Sequence, residues 1–161
     1  MIYTYRYASP LGRITLASDS EALTGLWFDK QKHFPHNLIS ESTEAELSIF
    51  TQTIKWLDIY FSGEVPGFTL PISLNATTFR KAVYEVLLTI PYGQTMTYGE
   101  IANIIAEQKG IERMSAQAVS SAVGHNPISI IVPCHRVVGA DGRLTGYAGV
   151  LDRKIKLLTL L

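Results

Sequence analysis

The stretch TYGEIANIIAEQKGIERMSAQAVSSAVGHNP, Thr97 to Pro127, decides the fold. Thr97 is a hydroxyl-bearing cap, and Ile101, Ile104 and Ile105 follow it at three- and four-residue steps, which predicts a helix with one apolar face. The polar, glycine-containing EQKGIER breaks it. A second helix is predicted from about Ser115 to Val123, and GHNP turns the chain again. Two short helices across a small turn predict a helix-turn-helix whose second member is the reading element. The outer positions of that second helix, Ser115, Ala116, Ala118 and Ser120, are small. Residue type alone leaves two readings open there: close approach of the backbone to a narrow groove, or tight helix–helix packing.

Upstream, a further helix is predicted over about Thr78 to Leu88, with Phe79, Val83, Val86 and Leu87 on one side and PYGQ ending it. Residues 62–76, SGEVPGFTLPISLNA, hold two Pro and two Gly without a helical period and read as a linker. Before them, STEAELSIFTQTIKWLDIYFSG places Leu47, Phe50, Ile54, Leu57 and Phe61 at helical steps, with Ser42 as the start and Gly63 as the stop. IYTYRY, GRITLA and LTGLWF carry alternating β-branched and aromatic residues and predict three strands. The expected organisation is therefore α/β of the α+β kind. An amino-terminal domain, 1–75, combines a small antiparallel sheet with a helix, and a helical, winged helix-turn-helix-like domain follows at 76–161.

The 161 residues are 47% apolar and 17% charged, the composition of a globular chain long enough to bury a core. No apolar run approaches the roughly 18 residues of a membrane span, and no basic, greasy leader opens the chain. A single cysteine excludes an internal disulfide framework and, with four histidines, gives no zinc spacing, so neither metal nor cofactor is expected. A reducing, cytoplasmic setting fits. Net charge is zero overall but −3 over residues 1–75 and +3 over 76–161, which points the second half toward an anion such as nucleic acid.

The lone thiol lies in IIVPCHRVVGADG, Ile130 to Gly142. An apolar approach ends at Pro133, Cys134 sits at the bend, and GADG turns the chain back. A cysteine beside a histidine is either an activated nucleophile or an inert core residue, and residue type leaves both open. Adjacent strand residues face opposite ways, so His135 reaches the thiol only through the bend or a bridging water.

The segment IIVPCHRVVG resembles the active-site signature of the O6-alkylguanine-DNA alkyltransferases. FRKAVYEVLLTIPYGQTMTYGEIA, AQAVSSAVGHNP and GRLTGYAGVLDRKIKLL are similar, in order and spacing, to that family's helix-turn-helix entry, recognition helix, and pocket lid with last helix. The resemblance implies a monomeric DNA-repair protein that binds duplex DNA through the minor groove. It flips an O6-alkylguanine (or O4-alkylthymine) out of the stack and moves the alkyl group irreversibly onto its own cysteine.

Carried over residue by residue, Cys134 matches the alkyl acceptor and His135 the base that takes its proton through water. Tyr98 matches the tyrosine that rotates the target phosphate and donates to the purine, and Asn126 the asparagine bracing the recognition helix. Val123, Val137, Tyr147 and Ala148 match pocket walls, with backbone carbonyls near Cys134 and Val137 accepting from the guanine amino group. Arg136 is expected to hold the loop, and Arg80 with the helix starts to meet phosphates. Ser115, Ala116, Gln117, Ala118 and Ser120 match the groove-facing side of the recognition helix.

Two positions depart from the pattern. Gln117 stands where the family inserts an arginine into the stack, and Leu161 where a glutamate usually orients the active-site histidine. One expectation is that the α-carboxylate of Leu161 substitutes for the missing side chain. The departures keep a second reading in play, an alkyltransferase-like lesion-binding protein that transfers nothing, although in that group the cysteine itself is replaced. A thiol hydrolase using Cys134 and His135 ranks third, for want of a third group or an oxyanion motif.

Overall fold

A computed structural model describes residues 1–29, 34–35, 37–140, 154 and 156–157. Three strands, β1 (Tyr3–Ser9), β2 (Gly12–Ser18) and β3 (Leu23–Phe28), form an antiparallel meander. A one-turn helix, α1 (Leu38–Glu41), leads to the two-residue β4 (Thr43–Glu44), which pairs with β1 in parallel, giving the order β3-β2-β1-β4. The sheet is thus antiparallel as expected except for this short outer strand.

Helix α2 spans Ser48–Phe61, starting five residues later than a cap at Ser42 implies. Thr43 and Glu44 are drawn into register with Tyr3 and Thr4, so strand pairing overrides the local cap signal. Ile49, Phe50, Thr53, Trp56, Leu57 and Tyr60 form the buried face of α2, and the Trp56 and Tyr60 rings stack at 5.3 Å.

Beyond the linker come α3 (Thr78–Leu87), α4 (Tyr98–Lys109) and α5 (Ala116–Gly124). Each starts on a hydroxyl cap: Thr77 accepts from Arg80 N–H, Thr97 from Glu100 N–H and Ser115 from Ala118 N–H. Gly110 closes α4 at φ 68°, a left-handed conformation that glycine adopts without cost, and the chain turns there into α5. Strand β5 (Met96–Thr97) pairs in parallel with β6 (Val137–Val138), tying the entry of α4 to the residues just after Cys134.

One core joins sheet and helices. Leu16, Leu26 and Phe28 of the sheet, Phe50 and Leu57 of α2, and Val83, Leu87, Ile101 and Val119 of the later helices belong to the same buried cluster. The free edge of β3 is used twice. Leu23 exchanges hydrogen bonds with the linker at Pro71 and Ser73, while Leu26 receives Ser129 N–H at 3.0 Å and donates to the Pro127 carbonyl at 2.8 Å. The sheet edge therefore holds the segment that leads into Cys134. Among the described residues, no helix is long and apolar enough to cross a membrane.

Candidate active site

Between α5 and β6 the chain makes a compact turn closed by one side chain. Asn126 Nδ2 donates to the Val132 carbonyl at 2.9 Å, and its Oδ1 accepts Ile128 N–H at 3.0 Å. Ile130, inside the turn, takes φ 71°, a strained value for a β-branched residue. Pro133 then leads into a single 3-10 turn, Cys134–Arg136, with Cys134 N–H donating to the Val132 carbonyl at 2.8 Å.

Cys134 is only 2% exposed, and burial pushes its thiol up to about 11. Four groups oppose that shift: the Asn126 side chain, the Lys154 charge, and the backbone N–H groups of Cys134 and Ile130. The strained residue therefore turns a donor toward the sulfur. Lys154 is wholly buried, donates to the Val137 carbonyl and is pulled down to about 8, mainly by burial. A thiol and an amine thus face each other in a dry site, each making the other's charge less costly.

His135 is 1% exposed and lowered to about 3 by burial, then by the charges of Arg136 and Lys154, so it is neutral at physiological pH. Its Nε2 lies 2.9 Å from the Tyr60 hydroxyl, and its Nδ1 has no hydrogen-bond partner among the described residues. Arg136 clamps this corner. NH1 donates to the Ile90 carbonyl at 3.0 Å, NH2 donates to the Tyr60 hydroxyl at 3.3 Å, and the guanidinium lies 4.4 Å from the Tyr92 ring centre.

The other singled-out residues fall in two places. Val123, Asn126 and Val137 are buried around Cys134, and Tyr98 is 9% exposed at the first residue of α4. Ser115, Ala116 and Gln117 are exposed at the start of α5, whereas Ala118, Ser120 and Arg80 are half-buried. Tyr147, Ala148 and Leu161 lie outside the described residues. Sequence reasoning passed over Tyr60, Tyr84 and Lys154. Tyr84 donates from α3 to the Ala122 carbonyl of α5 at 2.8 Å, tying the two helices together. The signal for Lys154 was present: in LDRKIKLL it falls three residues from Leu151 and from Leu157, on an otherwise apolar face.

A helix-turn-helix, α4 and α5, backed by one shielded, polar-braced thiol defines the class of protein to which the site belongs. Two family models match the chain: "6-O-methylguanine DNA methyltransferase, ribonuclease-like domain" over residues 1–74, and the same family's "DNA binding domain" over 78–160. A methylated-DNA–protein-cysteine methyltransferase of Mycobacterium bovis is 42% identical over 160 residues, 99% of this chain and 92% of the relative. One from Methanosarcina acetivorans is 42% identical over 159 residues, 99% of this chain and 97% of the relative. The crystal structure of Mycobacterium tuberculosis OGT in complex with DNA is similar at a TM-score of 0.86 and 43% identity, covering 98% of this chain and 92% of that one. The chain belongs to the 6-O-methylguanine DNA methyltransferase family.

Proposed function

We propose that this protein repairs O6-alkylguanine in duplex DNA by moving the alkyl group to Cys134, once per molecule. The observation that carries the reading is the placement of Cys134: a solitary thiol, held by Asn126 in the turn that follows the recognition helix and faced by Lys154. The sulfur attacks the alkyl carbon as the carbon–O6 bond breaks, and the bonding pair leaves on the guanine. The thiol proton passes to His135 through a water and is balanced by one proton taken up by the departing guanine. The product thioether has no leaving group that water could displace, so the protein is consumed.

In this reading α5 enters the minor groove through Ser115, Ala116 and Gln117, with Ala118 and Ser120 along its flank and Arg80 near phosphate. Tyr98, buried at the start of α4, turns the target nucleotide and donates to the purine. Val123 and Val137, with Tyr147 and Ala148, enclose the base. Residues 1–75 and 76–161 act as two domains of one monomer, the first bracing the second, in the reducing cytoplasm that a free thiol favours.

The test is direct: incubate the protein with duplex carrying O6-methylguanine and weigh the intact chain. A gain of one methylene on Cys134, absent in Cys134→Ala, is expected. Tight lesion binding with no mass change would replace this reading with that of a lesion-binding protein, which the uncharged Gln117 favours.

A further inference from the structure

Resting on the alkyl-transfer reading, the geometry points to Tyr60, carried by α2 of the amino-terminal sheet-and-helix part, as the positioning residue of the site. Its hydroxyl oxygen accepts Nε2–H of His135 and so leaves Nδ1 as the bare base that receives the Cys134 proton. The residue lies 75 positions from His135 in sequence, yet their atoms meet at 2.9 Å.

The tautomer follows from hydrogen-bond accounting. Arg136 NH2 is solely a donor and points to the Tyr60 oxygen at 3.3 Å, occupying one lone pair. The second lone pair is then free for Nε2–H, and the phenolic hydrogen needs an acceptor elsewhere. It has room to find one. A cavity of about 160 Å³ beside the pair is lined by Tyr60, Gln94, Thr95, His135 and Arg136, several times the share of one water. The opposite arrangement, with Tyr60 donating to Nε2, would put the hydrogen on Nδ1, which is buried without a partner among the described residues. A buried N–H without an acceptor is the rarer defect, and an empty lone pair the more tolerable one. The orphaned atom is thus the one an incoming water can use to carry the thiol proton.

The ring has little freedom to do otherwise. Tyr60 is 1% exposed, stacked on Trp56 at 5.3 Å and edge-on to His135 at 6.2 Å. The charged and titratable groups facing His135 are Tyr60 from α2, Arg136 and Cys134 beside it, and Lys154 from the segment at 154–157; Tyr92 faces Tyr60 and Arg136.

Two measurements test the assignment. Nitrogen-15 chemical shifts of the unaltered protein at neutral pH should show His135 protonated at Nε2 and pyridine-like at Nδ1. A proton on Nδ1 would overturn the proposal without reference to any activity. Single-turnover transfer from an O6-methylguanine duplex should be slower for Tyr60→Phe by about tenfold near neutral pH, a part of the roughly 10²- to 10⁴-fold that a positioned base contributes in full. Duplex affinity should be unchanged, and the deficit should shrink as pH rises and Cys134 ionises unaided. Comparing variant with wild type at each pH removes the contribution of Lys154, which titrates in the same range. Equal rates, or a deficit that is the same at every pH, would overturn the role. If the unaltered protein transfers nothing at any pH, the alkyl-transfer reading fails instead, and the tautomer result still stands or falls alone.

Discussion

Asn126 and Val132 are joined by a 2.9 Å hydrogen bond that spans the turn between α5 and the segment carrying Cys134. The same side chain accepts Ile128 N–H, so both ends of its amide are spent on backbone, and the Val132 carbonyl shares its acceptance with Cys134 N–H. Asn126→Ala leaves the buried Ile128 N–H unpaired and removes one of the two donors on the Val132 carbonyl, which costs about 1 to 3 kcal/mol. Denaturant unfolding should show that loss. Transfer should slow as well, because the same amide also lowers the thiol's acidity range. Retention of full stability would mean that water replaces the amide.

Acid stability should follow His135. Its folded value, about 3, lies below the ordinary 6.5, so the unfolded chain binds the extra proton between those limits. Stability is therefore full above pH 6.5 and falls as the solution is acidified toward pH 3, by on the order of a few kcal/mol. Unfolding midpoints at pH 7 and pH 4 should differ less in His135→Gln than in the wild type.

In alkali two neighbours act with opposite sign. Cys134 is held near 11 from a reference of 9.0, so the folded form keeps a proton the unfolded chain loses, and stability falls between those values. Lys154 is held near 8 from 10.5, so the unfolded chain binds the extra proton, and stability rises across that window. Cys134→Ser should show the rise alone and Lys154→Met the fall alone. Flat profiles for both variants would contradict the placement of the pair.

Gln117 is exposed at the second residue of α5, where a side chain can reach DNA without disturbing the core. Gln117→Arg should tighten duplex binding several-fold, speed repair, and steepen the salt dependence of binding by about one counterion. Titrations at two salt concentrations with repair rates alongside would check this; no gain in either would mean that position 117 does not meet the duplex.

Much of this was legible from residue pattern. Thr97 caps the helix it was expected to cap, α5 begins within one residue of the expected Ser115, and the segment resembling an alkyl-acceptor signature places Cys134 at a bend. What stayed hidden has a common cause. Tyr60 looks like one more apolar-face residue of α2, beside Trp56 and Leu57, because helical period records that a residue is buried and not whom it meets. Its partner is fixed by how α2 docks, a relationship with no local trace. The start of α2 was misplaced for the same reason, since Thr43 and Glu44 answer to β1 rather than to the helix after them.

The raised thiol has a further consequence for the cell. In an unfolded or half-made chain Cys134 ionises as any cysteine does, whereas folding lifts it from 9.0 to about 11, which cuts the resting thiolate population about a hundredfold. The fold works as a safety catch. A nucleophile that can be used only once is kept from stray electrophiles, and each round of accidental unfolding exposes it to being spent on the wrong target.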